Sequence, residues 1–175
     1  MLWLADALEA IRDFMNLGGP VLRAIAVTIF LMWVLIVERM LYFRTSMKKM
    51  SREIHDKWES RAERQSWNAK QIRELMISRF SEETNKGINL IQTLVALCPL
   101  LGLLGTVTGM ISVFQVMAVS GSGNVRAMAA GVSQATVPTM AGMVGALSGV
   151  LLITLLSRRA SHEVEFLEDS LTMDH

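Results

Sequence analysis

The chain has 175 residues, 51% of them apolar, and a formal net charge of +1. That length suits one ordinary domain, but the apolar residues gather in long uncharged blocks rather than scattering as in a water-soluble core, which excludes a soluble globule. Nucleic-acid binding is excluded as well, because the Lys and Arg of the one basic region alternate with Glu and Asp and no aromatic platform accompanies them.

Residues 1–20, MLWLADALEAIRDFMNLGGP, are acidic and lack the basic leader of a signal peptide. Leu4, Leu8, Ile11 and Met15 share one helical face, so the segment is expected to be an interfacial amphipathic helix ended by Gly18, Gly19 and Pro20. A first apolar block, AIAVTIFLMWVLIV from Ala24 to Val37, is short for a span. Its flanks extend it to 21–42, with Arg23 and Arg39 able to reach the interfaces.

Residues 43–86 place Met47, Met50, Ile54, Trp58 and Ala62, then Ala69, Ile72, Met76 and Phe80, at helical intervals, and predict a solvated helical arm or hairpin. From Gly87 to Val125 there is no charge, and none from Ala127 to Ser157. Spans are expected over 87–117 and 127–157, joined by a short loop over 118–126. A 31-residue helix such as 127–157 is about 46 Å long against about 30 Å of hydrocarbon, so part of each long helix must leave the membrane. The tail 158–175 keeps Val164, Leu167 and Leu171 at helical spacing and is expected to continue the third span.

The expected fold class is an all-α membrane protein with three transmembrane helices and long cytoplasmic helical extensions. Twelve of the 17 Lys and Arg residues fall between Arg39 and Lys86, and Arg158 and Arg159 follow the third span. The positive-inside rule then puts the N-terminus and the 118–126 loop outside, and the 43–86 segment and C-terminus in the cytoplasm.

Gly102, Gly105 and Gly109 repeat the spacing of Gly142, Gly145 and Gly149, and each triplet lies on one helix face. Small residues in that pattern let helix backbones approach closely in lipid. Thr106 and Thr139 project about 40° to 60° from the first glycine of their own triplets, beside each packing stripe. With Thr108, Ser112, Gln134 and Thr136 they are candidates for a polar lining, although a lone membrane threonine commonly bonds its own helix. Pro138 removes the donor to the Gln134 carbonyl and is expected to kink the third helix, for packing or on the pore side.

No Asp, Glu, His, Lys or Arg lies inside either long span, so any titrating group must come from another chain. Cys98, the single cysteine, allows no intrachain disulfide. No nucleophile elbow, no His/Asp partner and no metal cluster occurs in the spans. His55, His162 and His175 are isolated, and neither an enzyme, a metal site nor a cofactor is expected.

The stretches CPLLGLLGTVTGMISVF and AAGVSQATVPTMAGMVGALSG resemble the ExbB/TolQ/MotA family of proton-channel motor subunits. Three spans with a large first cytoplasmic segment resemble ExbB and TolQ more than MotA, and the small size resembles the short ExbB of second-type TonB systems. The resemblance implies a homopentamer in the bacterial inner membrane around a dimer of single-span ExbD-like chains whose intramembrane aspartate carries protons. It further implies a TonB-like partner, and transport across the outer membrane such as iron uptake. It places Thr106 of GTVTG and Thr139 of PTMAG on the family's pore-facing threonines. The sequence departs from the family at Gln134, where many members carry glutamate, and at ALSG over 146–149, where AIPA is common. A TolQ-like role in envelope maintenance and a non-conducting membrane scaffold are the competing readings.

Overall fold

The computed structural model describes residues 2–61, 63–120 and 125–171. Ala62, positions 121–124 of the expected outer loop, and the termini Met1 and 172–175, His175 included, lie outside the described residues. The chain forms α1 (Leu2–Leu17), α2 (Gly19–Glu59), α3 (Trp67–Asn85), α4 (Ile88–Ser120) and α5 (Val125–Ser170). No strand occurs among the described residues.

Each break has a local cause. Gly19 has φ +64° and Gly87 has φ +81°, left-handed conformations that a side chain disfavours, and each ends the path of the preceding helix. Pro20 then stands in the first turn of α2, where its missing N–H costs nothing. At the start of α3, the Ser66 hydroxyl accepts the Ala69 amide at 3.2 Å as an N-cap. The predicted 43–86 segment is a helical hairpin: α2 continues through it to Glu59, and α3 returns after the connection. Likewise α5 runs unbroken from Val125 to Ser170, so the third expected span and most of the tail are one helix. Both Pro99 and Pro138 lie inside helices.

The helical stretches Gly19–Glu59, Trp67–Val119 and Val125–Ser170 are each long and apolar enough to cross a membrane. At most 33% of their most apolar windows is buried within the chain, so most of that apolar surface faces outward. In water such a surface would be a liability; against lipid or further helices it is the required exterior. The chain is a multi-pass membrane protein.

Two compact units divide the contacts, residues 1–33 with 93–150 and residues 34–92 with 151–175. In the first, Leu22, Ile25 and Met32 of α2 are buried with Val95, Cys98 and Val113 of α4 and Ala135 of α5. On α2 the steps of three and seven, and on α4 the step of three from Val95 to Cys98, put these residues on one inward face of each helix. In the second, Met47 and Trp58 of α2, Phe80 and Thr84 of α3, and Leu156, Ala160 and Leu167 of α5 are buried. The Thr84 hydroxyl donates to the Phe80 carbonyl at 2.6 Å, which satisfies it in an apolar core. Arg73 ties α3 to the end of α5: its guanidinium donates to the carbonyls of Glu168 at 2.7 Å and Leu171 at 2.8 Å, which no helical amide can reach.

Candidate functional site

In the unit formed by residues 1–33 and 93–150, α4 and α5 approach closely because their facing positions are small. A Cβ added at Gly102 would lie 3.0 Å from the Thr139 Cα, one at Gly105 would lie 2.5 Å from the Pro138 Cβ, and one at Gly109 would lie 2.5 Å from the Ala135 Cα. The first glycine triplet therefore receives three successive sites of α5. The second triplet does not mirror it. Gly142 faces the Cys98 carbonyl of α4, Gly145 faces Ile29 of α2, and Gly149 faces Val95 of α4 and Met32 of α2.

At the tightest part of this contact, Thr106 and Thr139 meet with their hydroxyl oxygens 2.5 Å apart. The Thr139 hydroxyl is 3.0 Å from the Gly102 carbonyl, while that of Thr106 lies 3.4 Å from the carbonyls of Gly102 and Ala135. Two hydroxyls carry only two protons. The pattern using the shortest contacts has Thr106 donating to Thr139 and Thr139 donating to the Gly102 carbonyl. Both residues are half-buried, and their unused lone pairs can accept from a further group.

The other four candidates for a polar lining do not join this pair. Thr108 donates to the carbonyls of Leu104 and Gly105 at 3.0 Å, Ser112 to Thr108 at 3.2 Å, and Thr136 to Ser133 at 3.2 Å. All three are satisfied by their own helix. The Gln134 amide nitrogen lies 2.7 Å from the position a Cβ would take at Gly19, so Gln134 packs against the turn between α1 and α2.

Pro138 is buried, with its ring over Gly105, so it serves as a knob in the helix contact and also denies an amide donor to the Gln134 carbonyl. Pro99 likewise denies an amide donor to the Val95 carbonyl of α4. The site can donate and accept hydrogen bonds but cannot gain or lose a proton near neutral pH, because hydroxyls do not titrate there. Among the described residues no three His, Cys, Asp or Glu side chains gather in a way that could hold a metal ion.

Residues 37–169 match the MotA/TolQ/ExbB proton channel family, which takes in α3, α4 and most of α5. A protein of Synechocystis sp. named as an ExbB-like biopolymer transport protein is 37% identical over 84 residues, 46% of this chain. The match covers only 33% of that longer relative. No solved structure matches the chain. With the family match extending over more than two thirds of its length, the chain belongs to the MotA/TolQ/ExbB proton channel family.

Proposed function

We propose that the chain is a non-enzymatic subunit of a motor driven by the proton-motive force in a bacterial inner membrane. Copies of it, five by the family resemblance, surround a dimer of single-span ExbD-like chains, and the assembly energises TonB-dependent transport across the outer membrane. In this reading the N-terminus is periplasmic and the α2–α3 hairpin and the end of α5 are cytoplasmic, which the clustering of basic residues supports.

The observation that carries this reading is the meeting of Thr106 and Thr139 in a helix pair that has no titratable side chain at that depth. A proton relay in a membrane needs Asp, Glu or His. Here the hydroxyls supply polar partners that lower the desolvation cost of an acid carried by another chain, while the partner supplies the proton. The large apolar residues exposed on α4 and α5, among them Leu100, Leu103, Met143 and Leu147 at 60 to 65%, support assembly with further helices and lipid.

A TolQ-like role would use the same assembly with a different effector. The biopolymer-transport name of the Synechocystis relative favours the transport reading. Proton flux in liposomes tests the division of labour. The chain alone should pass few protons, and adding a single-span partner with an intramembrane Asp should create pH-dependent flux. Saturable flux through the isolated chain, unchanged by the partner, would overturn it.

A further inference from the structure

The unit built from residues 34–92 and 151–175 contains a cationic groove that the proton pathway does not use. Between α2 and α5 a cleft of about 340 Å³ is lined by Phe43, Arg44, Lys48, Arg159, His162 and Glu163. A second cleft of about 430 Å³ adds Ser51, Arg52 and Phe166 and shares Lys48, His162 and Glu163 with the first, so the two are continuous. Four permanent cations thus face a single carboxylate. Among the described residues none of Arg44, Lys48, Arg52 or Arg159 lies within ion-pair distance of an Asp or Glu.

Four exposed cations grouped around one carboxylate favour an anionic occupant, and the sequence position of the groove points to its kind. Arg44 stands two residues beyond the apolar segment 21–42, and Arg159 two residues beyond the charge-free segment 127–157. The groove therefore begins where the 21–42 stretch, about 33 Å long and just long enough to span, leaves the hydrocarbon at the depth of lipid headgroups, and Arg159 shares that cleft with Arg44. From there Arg44, Lys48 and Arg52 follow one face of α2 at four-residue intervals, about 12 Å in all. Basic pockets between helices at the membrane surface suit phosphate-bearing headgroups. Arg offers its planar fork to phosphate oxygens, and Lys adds a mobile point charge.

We propose that this groove binds the phosphate headgroup of an anionic phospholipid, with Arg44 and Arg159 holding it at the membrane surface and Lys48 and Arg52 extending the site away from it. The proposal rests on the membrane character of the chain and not on its role in proton transport. The headgroup is taken from the bilayer, because the first two cations lie where lipid phosphates already are.

The test is titration of the full-length chain in detergent with dioleoyl-phosphatidylglycerol, followed by native mass spectrometry, with dioleoyl-phosphatidylcholine and inorganic phosphate as parallel probes. Wild type should retain phosphatidylglycerol selectively. The double variant Arg44→Gln/Arg159→Gln should lose about thirtyfold in that affinity, two basic residues at about 1 kcal/mol each. Arg64→Gln/Lys70→Gln, altered outside the groove, should retain it unchanged. Should the first double variant fail to fold by circular dichroism, Lys48→Gln/Arg52→Gln carries the same expectation. Equal retention by groove and control variants would overturn the proposal. So would equal affinity for phosphatidylcholine, inorganic phosphate displacing the lipid at equal concentration, or a cysteine at Lys48 cross-linking to a neighbouring copy or an acidic partner protein.

Discussion

The ring of Pro138 fills the space left by Gly105, and a single methyl group at residue 105 would sit 2.5 Å from the Pro138 Cβ and 2.9 Å from its Cγ. Neither side can yield easily, since a proline ring has no rotamer to turn and a helix backbone has little freedom to move. The residue that weakens the hydrogen-bond ladder of α5 is thus also the one that locks α5 against α4.

The six glycines of the two stripes should respond unequally to alanine. At Gly109 and Gly142 the added Cβ meets backbone at 2.5 Å, the Ala135 Cα and the Cys98 carbonyl, and at Gly105 it meets the proline ring. These three variants should lose about 1–3 kcal/mol of stability and fail to accumulate. At Gly145 and Gly149 the Cβ meets side chains rather than backbone, chiefly the flexible ends of Ile29 and Met32, which can turn aside, and the stiffer Val95. Thermal unfolding in detergent should rank the two groups in this order, and the reverse ranking would refute the packing described above.

Thr106→Val and Thr139→Val remove a hydroxyl and keep the shape. Hydrogen bonds between membrane helices contribute about 0.6 kcal/mol on average, so both variants should fold and assemble. Proton flux with an Asp-bearing partner should nonetheless be lost. Normal flux at normal expression would reduce the two threonines to packing residues.

Orientation can be read by chemical labelling in a Cys98→Ala background. A cysteine introduced at Val119, 88% exposed at the end of α4, should react with a membrane-impermeant maleimide added to the periplasmic side. One at Lys70, on the exposed face of α3, should react only after the membrane is opened. The opposite pattern would invert the proposed topology.

Arg73→Ala should free the last turn of α5, because it withdraws the donors to the carbonyls of Glu168 and Leu171. The expected cost is about 1–2 kcal/mol, below a fully buried charged bond because the site is partly open to water. Hydrogen exchange should accelerate in residues 167–171 and leave 140–150 unchanged. Uniform exchange throughout α5 would mean that the bonds hold nothing.

The helices were legible in the sequence because the two uncharged runs and the three-to-four spacing of Met47, Met50, Ile54 and Trp58, and of Ala69, Ile72, Met76 and Phe80, follow directly from helical geometry. The position of Thr106 and of Thr139, each beside a stripe of small residues, was legible for a related reason, but that their hydroxyls bond each other was not. What the polar residues of one helix share was not legible from composition. Thr108 is two residues from Thr106, about 200° around the helix, and Gln134 is about 140° from Thr139, so neither can join the pair. Nor could identical glycine spacing reveal that the first triplet packs chiefly on α5, with α2 touching it only through Val21 at Gly105, while the second is shared between α2 and α4. That depends on which neighbours each stripe meets, and it is decided only by tertiary packing.

The unequal surroundings of the two stripes carry a consequence for sequence drift. Where an added Cβ would meet backbone at 2.5 Å, as at Gly109 and Gly142, no replacement escapes the cost, and descent should hold the position still. Gly149 faces side-chain tips, so its replacement is a matter of repacking Val95 and Met32. This is the position at which the resembling AIPA pattern carries alanine and this chain carries glycine. The neighbouring departure, serine for proline at Ser148, is accommodated as locally, its hydroxyl bonding the Gly145 carbonyl at 2.8 Å. Lineages of this fold can therefore exchange methyl groups along one end of α5 while the contacts at Gly109 and Gly142 stay invariant, a tolerance set by what stands opposite each residue.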